Sequence, residues 1–175
     1  MPELIPVLTK NEIDAMVTGV AHRISSDYQN RTLVLIGALK GAFIFMSDLI
    51  RHITIPIQVD FIGVSSYGSG TSSSGDIRLT KKPGIELKDK DVLIVEDIVD
   101  TGLTLSYLVD YLESFGPKSL KICTLLDKQE RRMTDVKIDY ACHLVEKGFL
   151  VGYGLDHAED YRHLPEIYHL KFPKK

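Results

Sequence analysis

Cysteine is scarce in this chain, long apolar runs are missing, and neither sign of charge dominates. The two cysteines, Cys123 and Cys142, are isolated in apolar stretches and form no CxxC pair. They read as buried free thiols in a reducing compartment. No apolar run approaches transmembrane length. The opening Met1-Pro2-Glu3-Leu4-Ile5-Pro6 has two prolines and an acid but no long apolar core, so it does not read as a signal peptide. A net charge of −3, with both signs interspersed, offers no basic field for nucleic acid or an anionic membrane. These absences point to a cytoplasmic protein that takes neither nucleic acid nor membrane as a partner. Its 175 residues suffice for a single domain, 1–175, with its own core.

What is present centres on Val92-Leu93-Ile94-Val95-Glu96-Asp97-Ile98-Val99-Asp100-Thr101-Gly102-Leu103-Thr104-Leu105. Four consecutive apolar residues, mostly β-branched, read as a strand buried on both faces. Glu96 and Asp97 stand where that strand should end. A small hydroxyl-bearing turn follows, and Leu105, Leu108, Val109 and Leu112 then recur at helical spacing. Such a turn leaves free backbone N–H groups at a helix N-terminus, where the dipole also favours an anion, so a phosphate fits there. The acids just upstream suit sugar hydroxyls or a hard cation better than the phosphate itself.

This stretch resembles the phosphoribosyl-pyrophosphate (PRPP) motif of the type I phosphoribosyltransferases. The run Val-Glu-Asp-Ile-Val-Asp-Thr-Gly-x-Thr is especially similar to the hypoxanthine–guanine branch. The resemblance implies an α/β fold with a mostly parallel sheet flanked by helices. It places the core at about residues 30–130, with a small hood from the N-terminal segment and about 131–175. It implies PRPP and a 6-oxopurine base as substrates, Mg2+ as cofactor, and a homo-oligomer, dimer or tetramer. Within the motif, Asp100 to Thr104, including Thr101, Gly102 and Leu103, would receive the 5′-phosphate, and Ile98 and Val99 would belong to the same substrate-binding stretch. Glu96 and Asp97 would meet the ribose hydroxyls and reach toward the metal, and Asp100 would be the general base. Some family members carry a basic residue where this chain has Leu103, so phosphate binding here must rest on backbone N–H groups and the two threonines.

Other segments extend the pattern. Thr9-Lys10-Asn11-Glu12 fits a capping box, and Ile13, Met16, Val17, Val20, Ala21 and Ile24 trace one helical face. Thr32 to Ile36 reads as a buried strand entering Gly37-Ala38-Leu39-Lys40-Gly41, with a second amphipathic helix after it. Flanked by glycines, Lys40 looks like an anion contact. The family has a pyrophosphate loop with a Leu-Lys-Gly core, often with a cis peptide before the lysine, and Leu39-Lys40-Gly41 matches it. Ile57 to Gly63 alternates as a less buried strand. The Gly/Ser-rich stretch 65–76 after it reads as a mobile loop between two strands. The resemblance makes it a catalytic lid beginning with Ser66-Tyr67.

After Gly116-Pro117, Leu120 to Leu126 forms a further strand that ends at Asp127-Lys128, with Arg131 and Arg132 beyond. Lys128 belongs to a charge run that composition alone leaves open as a solvated surface. The resemblance assigns it to the purine 6-oxo group, where a cation accepts an oxo substrate and disfavours an exocyclic amine. Phe149-Leu150-Val151-Gly152-Tyr153-Gly154-Leu155-Asp156 matches the family's purine segment. Phe149 would stack on the base, and Leu150 and Val151 would offer backbone groups to its edge. Asp156 would hold the pyrophosphate-bound magnesium, and Arg162 would contact the pyrophosphate. His157, His163 and His169 recur every six residues, which puts no two on one helical face, so they suggest no metal site. Three other activities remain open at this point. They are transfer to xanthine or a pyrimidine, PRPP sensing by a nucleic-acid-binding regulator, and nucleotide binding without catalysis.

Overall fold

The computed structural model describes residues 2–66 and 77–173. The expected catalytic lid, from Tyr67 onward, therefore lies outside the described residues, and Ser66 is described only as the last residue of a strand. In chain order the elements are β1 (Glu3–Leu8), α1 (Lys10–Asp27), β2 (Leu33–Leu39), α2 (Phe43–His52), β3 (Ile57–Ser66) and β4 (Ile77–Lys81). They continue with β5 (Asp91–Val99), α3 (Leu103–Glu113), β6 (Ser119–Lys128), β7 (Tyr140–Val145), β8 (Leu150–Val151) and β9 (Ile167–Lys171).

Six strands form the main sheet in the order β4-β3-β2-β5-β6-β7. All its pairs are parallel except β3 with β4 at one edge. A strand covered on both faces needs apolar residues throughout, and Leu33, Val34, Leu35, Ile36, Val92, Leu93, Ile94 and Val95 are fully buried. Their pleat divides them. Leu33, Leu35, Leu93 and Val95 join the core under α1 and α2. Val34, Ile36, Val92 and Ile94 join the core under α3, with Leu105, Leu108 and Leu112. Helix α1 starts at the expected capping box: Thr9 accepts from the Glu12 N–H at 3.3 Å, and Glu12 accepts from the Thr9 N–H at 2.8 Å. Its expected face is buried at Ile13, Val17, Val20, Ala21 and Ile24 and partly buried at Met16.

A second, antiparallel sheet in the order β1-β9-β8 joins the two ends of the described chain. Strand β1 carries Pro6 and is an edge strand with a register shift between Pro6 and Leu8, the setting in which a strand tolerates proline. One boundary differs from the sequence expectation. Strand β7, in the stretch assigned to the hood, pairs in parallel with β6 in the main sheet. The change of sheet therefore follows Val145 and not residue 131, because the Tyr140–Val145 ladder extends the main core before the chain turns away. Cys123 is buried and Cys142 half-buried, both as free thiols, and burial pushes both up, Cys142 to about 12. No helix among the described residues is long and apolar enough to cross a membrane.

The crevice at the sheet's carboxyl edge comes from a change of direction. The chain steps outward from β2 to β3 and β4, then returns on the other side of β2 as β5. Strands β2 and β5 stay paired only to Gly37 opposite Val95. Beyond that point β2 follows β3 to Leu39, and β5 follows β6 to Val99. Ligands in open α/β sheets collect at such a switch point.

Asp60 on β3 anchors the chain that leads back to the core. Its carboxylate accepts from Lys81 Nζ at 2.9 Å and from the N–H groups of Phe61, Gly84 and Ile85 at 2.7, 2.6 and 3.1 Å. Burial alone would raise this carboxyl, but the four donors outweigh it and bring it to about 2. A carboxyl depressed in the fold contributes stability above its unfolded value, and this is lost as pH falls toward the folded one. Asp60→Asn should therefore cost about 2 kcal/mol at pH 7. In urea unfolding at a series of pH values, the gap between wild type and variant should close between about pH 4 and pH 2.

Candidate active site at the sheet switch point

The carboxyl ends of β2 and β5 bring the Leu39-Lys40-Gly41 loop against the two acids. The Leu39–Lys40 peptide is cis. Gly41 packs so closely on Asp97 that a Cβ there would stand 1.8 Å from Asp97 Oδ2. On its other side, the Gly41 carbonyl would be 2.3 Å from a Cβ at Gly154, whose φ is +97°. Only glycines allow this approach, so the loop is wedged between the acids and the segment that follows β8.

Glu96 and Asp97 lie within β5, not at its end as the sequence suggested, because pairing with β6 carries the ladder on to Val99. The Glu96 carboxylate accepts from the Asp97 N–H at 3.1 Å, and Asp97 accepts from the Ile98 N–H at 2.7 Å. Burial, then the adjacent Asp97 charge, pushes the Glu96 carboxyl well above the usual carboxylate range. Burial raises Asp97 as well, offset in part by its hydrogen bonds and by Arg162. Two adjacent acids in this setting resist double ionisation until a ligand supplies hydroxyls or positive charge.

After Val99 the chain turns through Asp100 and Thr101 to Gly102, which begins α3 at φ +82° with no side-chain cap. Thr101 Oγ1 accepts from the Leu103 N–H at 3.3 Å. A cavity of about 130 Å³ sits in this turn, lined by Glu96, Ile98, Val99, Asp100, Thr101, Gly102, Thr104 and Leu105. Uncapped N–H groups at a helix start make it a fitting place for an anion. A larger cavity of about 510 Å³ lies behind Arg162, between α1, α2 and the chain near Leu164. Asp14 and Asp48 line it, but none of Glu96, Asp97 and Asp100 does. Convergence of charged groups, and not volume, marks the site.

Asp100 is the most engaged of the three acids. Arg131 pairs with its Oδ2, and Lys128 Nζ stands 3.6 Å from the same oxygen. Its Oδ1 is buried with no hydrogen-bond partner among the described residues. Lys128 is not part of a solvated run, since its side chain is only 7% exposed. Arg132, which the sequence left in that run, is a clamp. It donates to the carbonyls of Asp100, Val99 and Lys128 at 3.0, 3.3 and 3.2 Å and pairs with Asp127. The Met133 and Thr134 N–H groups both reach the Thr101 carbonyl, at 2.9 and 3.2 Å. The segment after β6 is thereby bound to the turn, and only the density of charge in the sequence hinted at this.

Phe149 is 47% exposed, with His157 edge-on at 5.5 Å and Phe172 edge-on to His157 at 5.1 Å. Leu150 and Val151 are buried in β8, the edge strand of the small sheet, so one side of their backbone has no ladder partner there. Arg162 donates to the Gly154 carbonyl at 2.7 Å and pairs with Asp156 at 3.1 Å and Glu159 at 3.5 Å. Glu159 in turn pairs with Lys40 at 2.9 Å, bridging the two cations assigned to pyrophosphate; the sequence reading passed over it. Asp156 also accepts from the Glu159 N–H at 2.9 Å. The structure does not gather Asp156, Glu96 and Asp97 into one cage. Among the described residues no three His, Cys, Asp or Glu side chains cluster as a metal site. Hard oxygen donors such as the Asp156 carboxylate do suit Mg2+, which takes one or two carboxylates and fills its other positions with water and phosphate oxygens.

Comparisons with known proteins show the family and the fold. The pattern of the family described as phosphoribosyl transferase domain matches residues 7–158. The chain is 46% identical over 165 residues to the hypoxanthine-guanine phosphoribosyltransferase of Bacillus subtilis (strain 168), covering 94% of this chain and 92% of that protein. It is 41% identical over 163 residues to the hypoxanthine-guanine phosphoribosyltransferase of Streptococcus pyogenes serotype M3, covering 93% and 91%. Among solved structures, a hypoxanthine-guanine phosphoribosyltransferase from Bacillus anthracis superposes with a TM-score of 0.91 at 39% identity, covering 98% of this chain and 100% of that one. A hypoxanthine phosphoribosyltransferase from Staphylococcus aureus gives 0.91 at 43% identity, covering 95% and 90%.

The buried acid pair yields a stability prediction. A carboxyl raised by folding destabilises the fold once pH exceeds its unfolded value, because the folded form resists ionisation. Glu96→Gln should therefore raise the thermal midpoint at pH 7 by a few degrees, and the gain should fade as pH drops to about 4. Differential scanning calorimetry across that range checks it. An unchanged or lower midpoint at pH 7 would refute it.

Proposed function

The chain belongs to the phosphoribosyltransferase family, and on that premise we propose that it serves purine salvage, transferring 5-phosphoribosyl from PRPP to hypoxanthine or guanine. The products are the mononucleotide, IMP or GMP, and pyrophosphate. The enzyme is a pentosyltransferase. The observation that carries the site assignment is the Asp100 carboxyl, with one oxygen held by cations and the other buried and unpartnered, beside the buried Lys128 ammonium.

In this reading the turn from Asp100 to Thr104 takes the 5′-phosphate through backbone N–H groups and the hydroxyls of Thr101 and Thr104, with Ile98 and Val99 at the end of β5 beside it. Glu96 and Asp97 take the ribose hydroxyls. Lys40, with Leu39 and Gly41, and Arg162 receive the pyrophosphate. Asp156 would hold Mg2+, which when bound would neutralise pyrophosphate and improve it as a leaving group; Glu96 and Asp97 are not gathered with Asp156 and would reach an ion only from the ribose side. Phe149 presents its ring to the base, β8 offers the backbone groups of Leu150 and Val151 to its edge, and Lys128 meets the 6-oxo oxygen. Adenine is disfavoured because its amine would set donor against donor.

The base nitrogen attacks C1′, and the C1′–O bond to pyrophosphate breaks with its electrons leaving on oxygen. Asp100 Oδ1 takes the proton from the imidazole side of the base. Arg131 and Lys128 hold Oδ2, which fixes the plane of the carboxylate. The same reading carries a cytoplasmic location and assembly into a homo-oligomer, a dimer or tetramer.

Turnover with PRPP and Mg2+ should be seen on hypoxanthine and guanine and not on adenine or uracil. PRPP binding without turnover on any base would point instead to a regulator that senses PRPP. Asp100→Asn should lower kcat by about 10²–10⁴-fold, with the thermal midpoint little changed. A variant retaining near-full turnover would remove Asp100 from the role of base.

A further inference from the structure

Two parts of the structure meet the base in the reading above: the end of β6, carrying Lys128, and the segment entering β8, carrying Phe149. One side chain joins them. Glu130 Oε2 stands 3.4 Å from Lys128 Nζ and accepts a 3.1 Å hydrogen bond from the N–H of Gly148, the residue before Phe149. Neither the PRPP motif nor the purine segment includes Glu130.

The need for it is electrostatic. Lys128 is nearly buried, and a buried ammonium needs a counter-charge. Among the described residues its carboxylate partners are Asp100, at 3.6 Å, and Glu130. Were Asp100 alone to neutralise Lys128, the ammonium would be drawn onto the carboxylate that must accept the proton and away from the 6-oxo position. Glu130 supplies a second carboxylate, 3.4 Å from that ammonium, and shares the neutralisation. Its carboxyl is held below the ordinary range, first by the Gly148 N–H and also by Lys128, so it is charged at neutral pH.

We propose that Glu130 is a positioning residue for base recognition. It holds the Lys128 ammonium between two carboxylates and pins Gly148 so that the exposed Phe149 ring is presented at a fixed distance from that cation. This assignment rests on the proposed transferase reading. It makes Glu130 a determinant of base affinity and of oxo-over-amine preference, with no part in PRPP binding.

Steady-state kinetics on full-length wild type, Glu130→Ala and Glu130→Gln test it, with hypoxanthine varied at saturating PRPP and PRPP varied at saturating hypoxanthine. Adenine is added as a competitive inhibitor of hypoxanthine. Glu130→Ala should raise the KM for hypoxanthine about tenfold, the loss of one charge-assisted hydrogen bond. Its KM for PRPP should stay within about twofold, well inside the effect of one such bond. Glu130→Gln keeps an acceptor for the Gly148 N–H and should recover part of the hypoxanthine KM. Both variants should narrow the ratio of the adenine inhibition constant to the hypoxanthine KM, because that ratio depends on the cation. An unchanged hypoxanthine KM, an equal rise in both KM values, or a preserved adenine ratio would overturn the assignment. A wild type without turnover would refute the transferase reading and this assignment with it. An active wild type with unaffected variants would refute this assignment alone.

Discussion

The structure depends on where two parallel strands stop pairing. Strands β2 and β5 share a ladder through five residue pairs, from Leu33 opposite Asp91 to Gly37 opposite Val95. Each then follows its outer neighbour. Backbone groups freed between two diverging strands would be costly in a closed core, so such a gap belongs at an edge open to solvent or ligand. Here the gap receives the Leu39–Gly41 loop, and the acids of β5 form its opposite wall. A ladder that stayed paired to the ends of both strands would leave no room for that loop beside Asp97.

Charge around the crevice is already balanced from within. Glu159 spans Lys40 and Arg162, Arg131 covers one oxygen of Asp100, and Lys128 lies between Asp100 and Glu130. Unpaired charge in such a place would be expensive to desolvate, and these contacts lower that cost. Ligand binding in the proposed reaction is then an exchange of partners. A pyrophosphate meeting Lys40 and Arg162 replaces the Glu159 carboxylate, and a purine beside Lys128 enters a site whose cation is already oriented. The exposed pairs are weak individually, so this exchange is cheap for Lys40 and Glu159, each about two-thirds exposed. Glu96 and Asp97 differ, because neither has a cation within salt-bridge distance among the described residues. Burial raises both carboxyls, and the adjacent Asp97 charge raises Glu96 further.

Much of this could be read along the chain because it is local. The β-branched run of β5, the capping box at Thr9 and Glu12, and the glycines around Lys40 each encode their conformation within a few residues. Strands β1 and β4 were harder to see. Pro6 argues against a strand unless the strand lies at an edge, and the alternation of Ile77 and Leu79 with Arg78 and Thr80 is short and follows a Gly/Ser-rich stretch. The sheet that β7 joins is set by its pairing with β6, a long-range choice with no local signature.

The sequence by itself determined the three helices, the inner strands β2, β3, β5 and β6, the anion-receptive turn and the residues that resemble a phosphoribosyltransferase, because periodicity and turn chemistry act over a single turn or strand. Tertiary structure alone decided which charges meet. Arg132 reads as one more residue in a charge run, yet it holds two carbonyls at the acidic turn and a third at the end of β6. Composition leaves Lys128 open between a solvated surface and a ligand contact until its burial beside Asp100 and Glu130 is seen. Coulomb and hydrogen-bond energies depend on distance and desolvation through space, and neither is written in the spacing of residues along the chain.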